Sequence, residues 1–312
     1  MVVHSSRIAR LRAIDVSPGA FRRVAFGALL AIFVVVTTGA VVRLTASGLG
    51  CDNWPRCGDT PVPETGGHAA IEFGNRVVAL GAILCTALSW AAARRVRGLP
   101  PAVTRLALAA FLGNVAQIPL GGLTVIFELH PLLVMAHFLL AMGVLAACVA
   151  VAVESHRLVV GGAEVALPRR LLYAGVALGL SCLVLVVTGV FATAAGPHPG
   201  DDADIDRLGD AYRSVVVHAV ATAVFGVALV SVLVYVVRHR ADWPGLVDAV
   251  VALALVLGVQ IAVGEVQYHN DLPWWLVLIH VGLAAGVWGS TVALVTLLWR
   301  PPRSFLASAR VD

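Results

Sequence analysis

The sequence predicts an all-α membrane protein whose eight transmembrane helices form two parallel-repeat four-helix bundles. Three observations predict it. First, 59% of the 312 residues are hydrophobic and 13% are charged, with a mean hydropathy of +0.91, whereas a soluble domain is about 45–50% apolar and about 25% charged. That composition excludes a soluble enzyme, a disordered chain and a secreted disulfide scaffold. Second, the apolar residues gather in eight runs, roughly 22–44, 68–93, 103–126, 131–154, 171–193, 214–238, 246–267 and 274–299, each long enough for the ~20 residues that a crossing helix needs. Runs as continuous as Val24–Val42 exclude a β-barrel, whose strands alternate apolar and polar residues. Third, the two halves repeat. At a shift of 143, residues 116–144 fall on 259–287 without a gap, pairing Gln117 with Gln260, Gly121 with Gly264, His137 with His280 and Gly143 with Gly286. Thr38-Gly39 matches Thr188-Gly189 at a shift of 150, so the first loop is the longer one. Four spans separate the halves, which makes the repeat parallel, about an axis along the membrane normal.

Orientation comes from the basic residues. All 22 are Arg, and with the N-terminus in the cytoplasm 17 of them fall on the inner side. The outer side keeps Arg43, Arg56, Arg76, Arg207 and Arg213, and its third loop is acidic, with Asp201, Asp202, Asp204, Asp206 and Asp210. The net charge of +4 therefore reads as topology and not as affinity for nucleic acid. Both termini are expected inside, in a cell membrane. The first run reads as the first span and not as a cleavable signal. The expected organisation is a cytoplasmic tail (1–21), an N-terminal bundle (22–154), a cytoplasmic linker (155–170), a C-terminal bundle (171–299) and a second tail (300–312).

Ionisable residues inside a membrane point to function. Of ten histidines, three lie inside spans: His137, His218 and His280. His137 stands six residues beyond Pro131 and His280 seven beyond Pro273, so at 1.5 Å per residue each sits about 10 Å below the outer surface. His218 is at a similar depth and is expected to face His280 across the C-terminal bundle. Imidazoles on facing helices suit a b-type heme, and the absence of a Cys-x-x-Cys-His motif excludes covalent attachment. At the shift of 143, His218 maps to Asn75. The N-terminal site thus has His137 alone, with an open or weakly filled sixth position that suits oxygen chemistry.

Glu72 shares a helix face with Asn75 and stands four residues before Arg76. It reads either as a carboxylate that moves protons beside a cofactor or as one half of an i,i+4 ion pair. His68, one turn earlier, reads as interfacial or as a substitute ligand. Arg43, Arg76 and Arg213 end spans on the outer side, where they would pair with heme propionates or snorkel to the interface. Cys51 and Cys57, with Gly50 and Pro55 to bend the chain between the spans, form a bridge in an oxidising compartment or remain two thiols. Cys85, Cys148 and Cys182 read as small apolar fillers.

The chain resembles the heme A synthase family in its bacterial eight-span form. Ser47-Gly-Leu-Gly-Cys51, Trp54-Pro55 and Cys57, Ile71-Glu72-Phe-Gly-Asn-Arg76, and the three span histidines carry the resemblance, over about residues 22–299. It implies an oxidoreductase acting on a CH group, which converts the C8 methyl of heme O to the formyl of heme A. It implies heme b as cofactor on His218 and His280, the substrate heme beside His137, Glu72 as the catalytic carboxylate, and a Cys51–Cys57 disulfide. The expected partners are heme O, membrane lipid and heme O synthase; the electron acceptor and any homo-oligomer stay open. Two departures stand out. Asn75 occupies a position where the family commonly has His, and residues 194–213 lack the cysteine pair that some members carry there. Two other classes remain: a di-heme electron-transfer protein that modifies no porphyrin, and a transporter with a parallel repeat.

Overall fold

The computed structural model describes residues 15–302, apart from 52, 59–61, 64–65, 163–166 and 202–204. Arg7, Arg10, Arg12, Arg303, Arg310, Asp202 and Asp204 lie outside the described residues, as do most of both expected tails. Among the described residues eight helices follow one another: α1 (Pro18–Leu44), α2 (His68–Ala93), α3 (Pro101–Ile126), α4 (Pro131–Val160), α5 (Arg169–Ala195), α6 (Ala211–Arg238), α7 (Pro244–Tyr268) and α8 (Trp274–Trp299). All eight are long and apolar enough to cross a membrane, so the chain is a multi-pass membrane protein.

Local sequence explains the helix ends. Pro18, Pro101, Pro131 and Pro244 open their helices, where a missing N–H costs nothing and φ is already helical. Ser17 accepts from Ala20 N–H and Asp210 from Arg213 N–H, as N-caps do. Helix α4 runs six residues past the apolar stretch 131–154 and stops at Gly161, whose φ is +85°. The extension is held by the buried Glu154, which pairs with Arg157 and, at 3.2 Å, with Arg300. This pairing reaches from the end of the N-terminal half to the end of α8.

The repeat seen in the sequence extends to the backbone. Glu128 and Leu129 between α3 and α4, and Asp271 and Leu272 between α7 and α8, all take left-handed φ values of 49° to 58°. In each half the first helix packs on the second, the second on the third, the third on the fourth and the fourth on the first, and α4 and α8 meet at the centre. Contacts of α1 with α8 and of α5 with α4 flank that seam symmetrically. The indole N–H of Trp288 crosses it to Met142 O at 2.9 Å. Leu80, Leu84 and Leu88 on α2, and Val220, Val224 and Val227 on α6, are exposed; recurring every three or four residues, they form the lipid-facing stripes.

The two interiors differ. The C-terminal bundle buries Phe225, Leu229, Val232, Val250, Leu253 and Leu257. The positions 143 earlier hold Ala82, Thr86, Ser89, Ala107, Ala110 and Asn114, all buried. Lipid leaves no hydrophobic force to drive helices together, so association depends on close packing and interhelical hydrogen bonds. The C-terminal bundle interlocks large side chains. The N-terminal bundle packs with small ones and a long Asn114–Thr86 contact of 3.4 Å.

Candidate functional site

Within each ring of four helices the second and fourth are diagonal, so their inward residues face across the bundle axis. In the C-terminal bundle these are α6, with His218, and α8, with His280. The two imidazoles lie within electrostatic reach of one another. The flanking helices admit them through glycines. A Cβ on Gly189 of α5 would stand 2.9 Å from His218 Cε1, and one on Gly264 of α7 would stand 3.1 Å from His280 Cε1. Thr188 donates its hydroxyl to Leu185 O at 3.0 Å and meets His218 Nδ1 at 3.2 Å. The hydroxyl thus accepts from Nδ1–H and leaves Nε2 as the free lone pair. Gln260 Nε2 stands 3.0 Å from His280 Nε2, and His280 Nδ1 is buried without a partner.

The N-terminal bundle repeats this plan with one exchange. His137 on α4 lies against Gly121 of α3, where a Cβ would come within 3.2 Å of Cε1. Its Nδ1 is also buried without a partner, as is Gln117 Oε1, while Gln117 Nε2 donates to His137 O at 3.1 Å. Across the axis, on α2, Asn75 takes the place of His218. Thr38 donates to Asn75 Oδ1 at 2.7 Å, and Gly39 lies beside Nδ2.

These features fit a heme. Among the described residues no three His, Cys, Asp or Glu side chains gather as a bare metal ion would require. Pairs of imidazoles suit an iron already held in a ring. His137 and His280 each keep a buried ring nitrogen that nothing among the described residues satisfies, which buried polar groups seldom do.

The first loop closes over the N-terminal bundle. Cys51 and Cys57 are disulfide-bonded, with Cα atoms 4.5 Å apart. Glu72 is buried; its Oε2 accepts from Cys51 N–H at 2.8 Å and its Oε1 from Arg76 at 2.5 Å. Arg76 also donates to Pro55 O and Arg56 O. Gly50 lies so close to the first turn of α2 that a Cβ would be 2.5 Å from the carbonyl carbon of His68. Ser47, fully buried, meets His68 Nδ1 at 2.9 Å, so the His68 side chain, at the start of α2 and two turns before Asn75, is engaged with the loop. The Trp54 ring lies on Gly122 of α3, leaving no room for a Cβ there. Of the two readings of Glu72 the ion pair with Arg76 is present, and the same carboxylate also anchors the disulfide loop, a role neither reading contained.

The arginines divide. Arg76 is spent on the loop. Arg43 reaches from α1 into the other half, donating from Nε to His198 O at 2.7 Å and from Nη2 to Thr193 O at 2.9 Å. Arg213 is exposed at the start of α6. The residues that position the site and that ligand chemistry alone does not single out are Thr38, Thr188, Gln117, Gln260 and the four glycines. Their signal in the sequence is the repeat, which returns each of them beside a histidine or its substitute.

Residues 22–70 match the model of a family described as cytochrome oxidase assembly protein. The chain is 37% identical over 122 residues to a heme A synthase of Symbiobacterium thermophilum, which is 38% of this chain and 39% of that one. It is 31% identical over 112 residues to a heme A synthase of Geobacillus kaustophilus, covering 36% and 35%, and 30% identical to that of Geobacillus thermodenitrificans, again over 112 residues. The chain thus aligns with little more than a third of the length of these relatives. These matches bear out the resemblance to the heme A synthase family read from the sequence.

Proposed function

We propose that the chain is a heme A synthase, which oxidises the C8 methyl of heme O to a formyl group. One observation supports this above the others: two bundles of the same plan carry different residues at their centres, His218 with His280 in one and Asn75 with His137 in the other. A bis-histidine site suits electron transfer, and a site with one protein ligand suits chemistry. In this reading His218 and His280 hold a heme b, which supplies one-electron transfer when bound. Thr188 fixes the tautomer of His218 by accepting from Nδ1–H. His137 binds the substrate heme, heme O, and Gln117 steadies the α4 backbone at that residue. Glu72, one turn from Asn75, is the proton-accepting group of the site; Arg76 and Cys51 N–H orient its two oxygens. The disulfide loop covers the site and excludes water. The loop end of the bundles is the outer face, and both termini lie in the cytoplasm.

Expression of the chain beside a heme O synthase, followed by extraction and mass analysis of the pigment, tests the reading. Heme A or its hydroxylated precursor is expected. Accumulation of heme O alone in a heme-loaded protein would overturn it in favour of a plain di-heme electron carrier. A purified protein without heme would favour the transporter.

A further inference from the structure

Asn75 and His218 occupy the same place in two bundles, and their atoms correspond. Thr38 Oγ1 stands 2.7 Å from Asn75 Oδ1, the shorter of that hydroxyl's contacts, the other being Val35 O at 3.3 Å. Thr188 Oγ1 stands 3.2 Å from His218 Nδ1. The atoms facing the repeat glycines are Asn75 Nδ2, 4.0 Å from a Cβ built on Gly39, and His218 Cε1, 2.9 Å from one on Gly189. Asn75 Oδ1 therefore takes the position of the imidazole Nδ1, with the threonine bond reversed: Thr38 donates to the oxygen, whereas Thr188 accepts from Nδ1–H. The amide ends at Nδ2, whereas the imidazole continues to Nε2. With Thr38 donating to Oδ1, Nδ2 keeps its two N–H donors. Among the described residues none accepts from Nδ2.

We propose that Thr38 and Asn75 turn the N-terminal bundle into a ligand-binding site: beside a heme held by His137, Asn75 would supply no ligand to the iron and would offer its Nδ2–H to a small hydrogen-bond acceptor, neutral or anionic. This rests on the heme reading given above. Asn75 is the group that touches the ligand, and Thr38 is a positioning residue acting through it. The recognised chemistry is a compact molecule with a lone pair for the iron and a second one for the amide, such as water, hydroxide or azide.

Azide titration of the purified, heme-loaded full chain tests the proposal by absorption and EPR, with no reference to turnover. A high-spin heme that responds to azide, and is lost in His137→Ala, is expected. Removing one hydrogen bond to an anion lowers affinity roughly tenfold, so Asn75→Leu is expected to weaken azide by about that factor. Thr38→Val keeps the volume and Asn75 itself; it is expected to weaken azide several-fold, while Thr188→Val in the other bundle leaves azide affinity unchanged. The low-spin spectrum of the C-terminal pair reports that each variant is folded. Unchanged azide affinity in both Asn75→Leu and Thr38→Val would overturn the proposal and leave the heme site standing, and so would a His137-dependent heme that ignores azide. An azide response that survives His137→Ala would overturn the proposal together with the heme reading beneath it.

Discussion

The backbone N–H of Cys51 donates to Glu72 Oε2 at 2.8 Å, so the disulfide loop is fastened to a buried carboxylate of α2. The other oxygen of that carboxylate holds Arg76, which in turn holds Pro55 O and Arg56 O. Glu72→Ala would leave the N–H and the guanidinium without their acceptor. Hydrogen bonds to charged groups are worth about 1.5–3 kcal/mol each, and the loop is expected to come free. Alkylation of Cys51 and Cys57 under mild reductant should be faster in Glu72→Ala than in the parent, with Glu72→Gln between them because it retains an acceptor oxygen. Equal rates in all three would show that the loop is held by other contacts.

The glycines beside the histidines differ in how much space they leave. A Cβ would come within 2.9 Å of His218 at Gly189, 3.1 Å of His280 at Gly264 and 3.2 Å of His137 at Gly121, but only 4.0 Å of Asn75 at Gly39. Gly189→Ala and Gly264→Ala are expected to lower the heme content of the purified protein. Gly39→Ala should be tolerated, since a contact of that length is ordinary. Heme-to-protein ratios by pyridine hemochrome give the comparison. Loss of heme in Gly39→Ala with retention in Gly189→Ala would contradict the packing argument.

Replacing the amide at position 75 restores the symmetry of the two bundles. Asn75→His places an imidazole where Thr38 can accept from Nδ1–H, as Thr188 does for His218. The high-spin component of the EPR spectrum is expected to give way to a second low-spin signal. An unchanged spectrum would mean that another group already ligates on that side.

Arg43 joins the two halves through carbonyls of residues 193 and 198. Arg43→Lys has one ammonium for two acceptors and a different reach. The loss of one bond to a charged donor predicts about 1.5–3 kcal/mol of lost stability, read as a lower melting temperature in detergent and faster proteolysis of the loop between α5 and α6. Arg43→Lys with an unaltered melting temperature and heme content would remove this clamp from the account.

The eight helices were legible because apolar composition and helix length are local properties. The longest discrepancy, residues 155–160 of α4, lies where Glu154 pairs with Arg300, which stands far along the chain. The same distinction runs through the site. His137, His218 and His280 announce themselves as imidazoles in apolar runs, and the repeat already placed Asn75 opposite His137. The work of Arg43 and the anchoring role of Glu72 are hidden. The first depends on a carbonyl 155 residues away, the second on where the Cys51 backbone lies once the loop has folded. Side-chain to backbone contacts across loops leave no pattern in a sequence, because any residue supplies an N–H or a carbonyl. The glycines are a middle case: Gly121 and Gly264 were visible as a repeated pair, but close helix packing explains such a pair equally well until the rings are seen beside them.

The seam where α4 meets α8 puts two copies of one plan side by side in a single polypeptide. Were such copies separate chains of identical sequence around a twofold axis, every substitution would appear at both centres at once. A change that opened one iron site would open its twin, and a bulky core residue that stiffened one bundle would stiffen the other. Joining the copies removes that obligation. Here the freedom has been used twice over: one bundle keeps two imidazoles and a core of Phe225, Leu229 and Leu253, and the other exchanges an imidazole for an amide and packs with Ala82, Thr86 and Ala110. The covalent link thus lets neighbours of common design diverge independently.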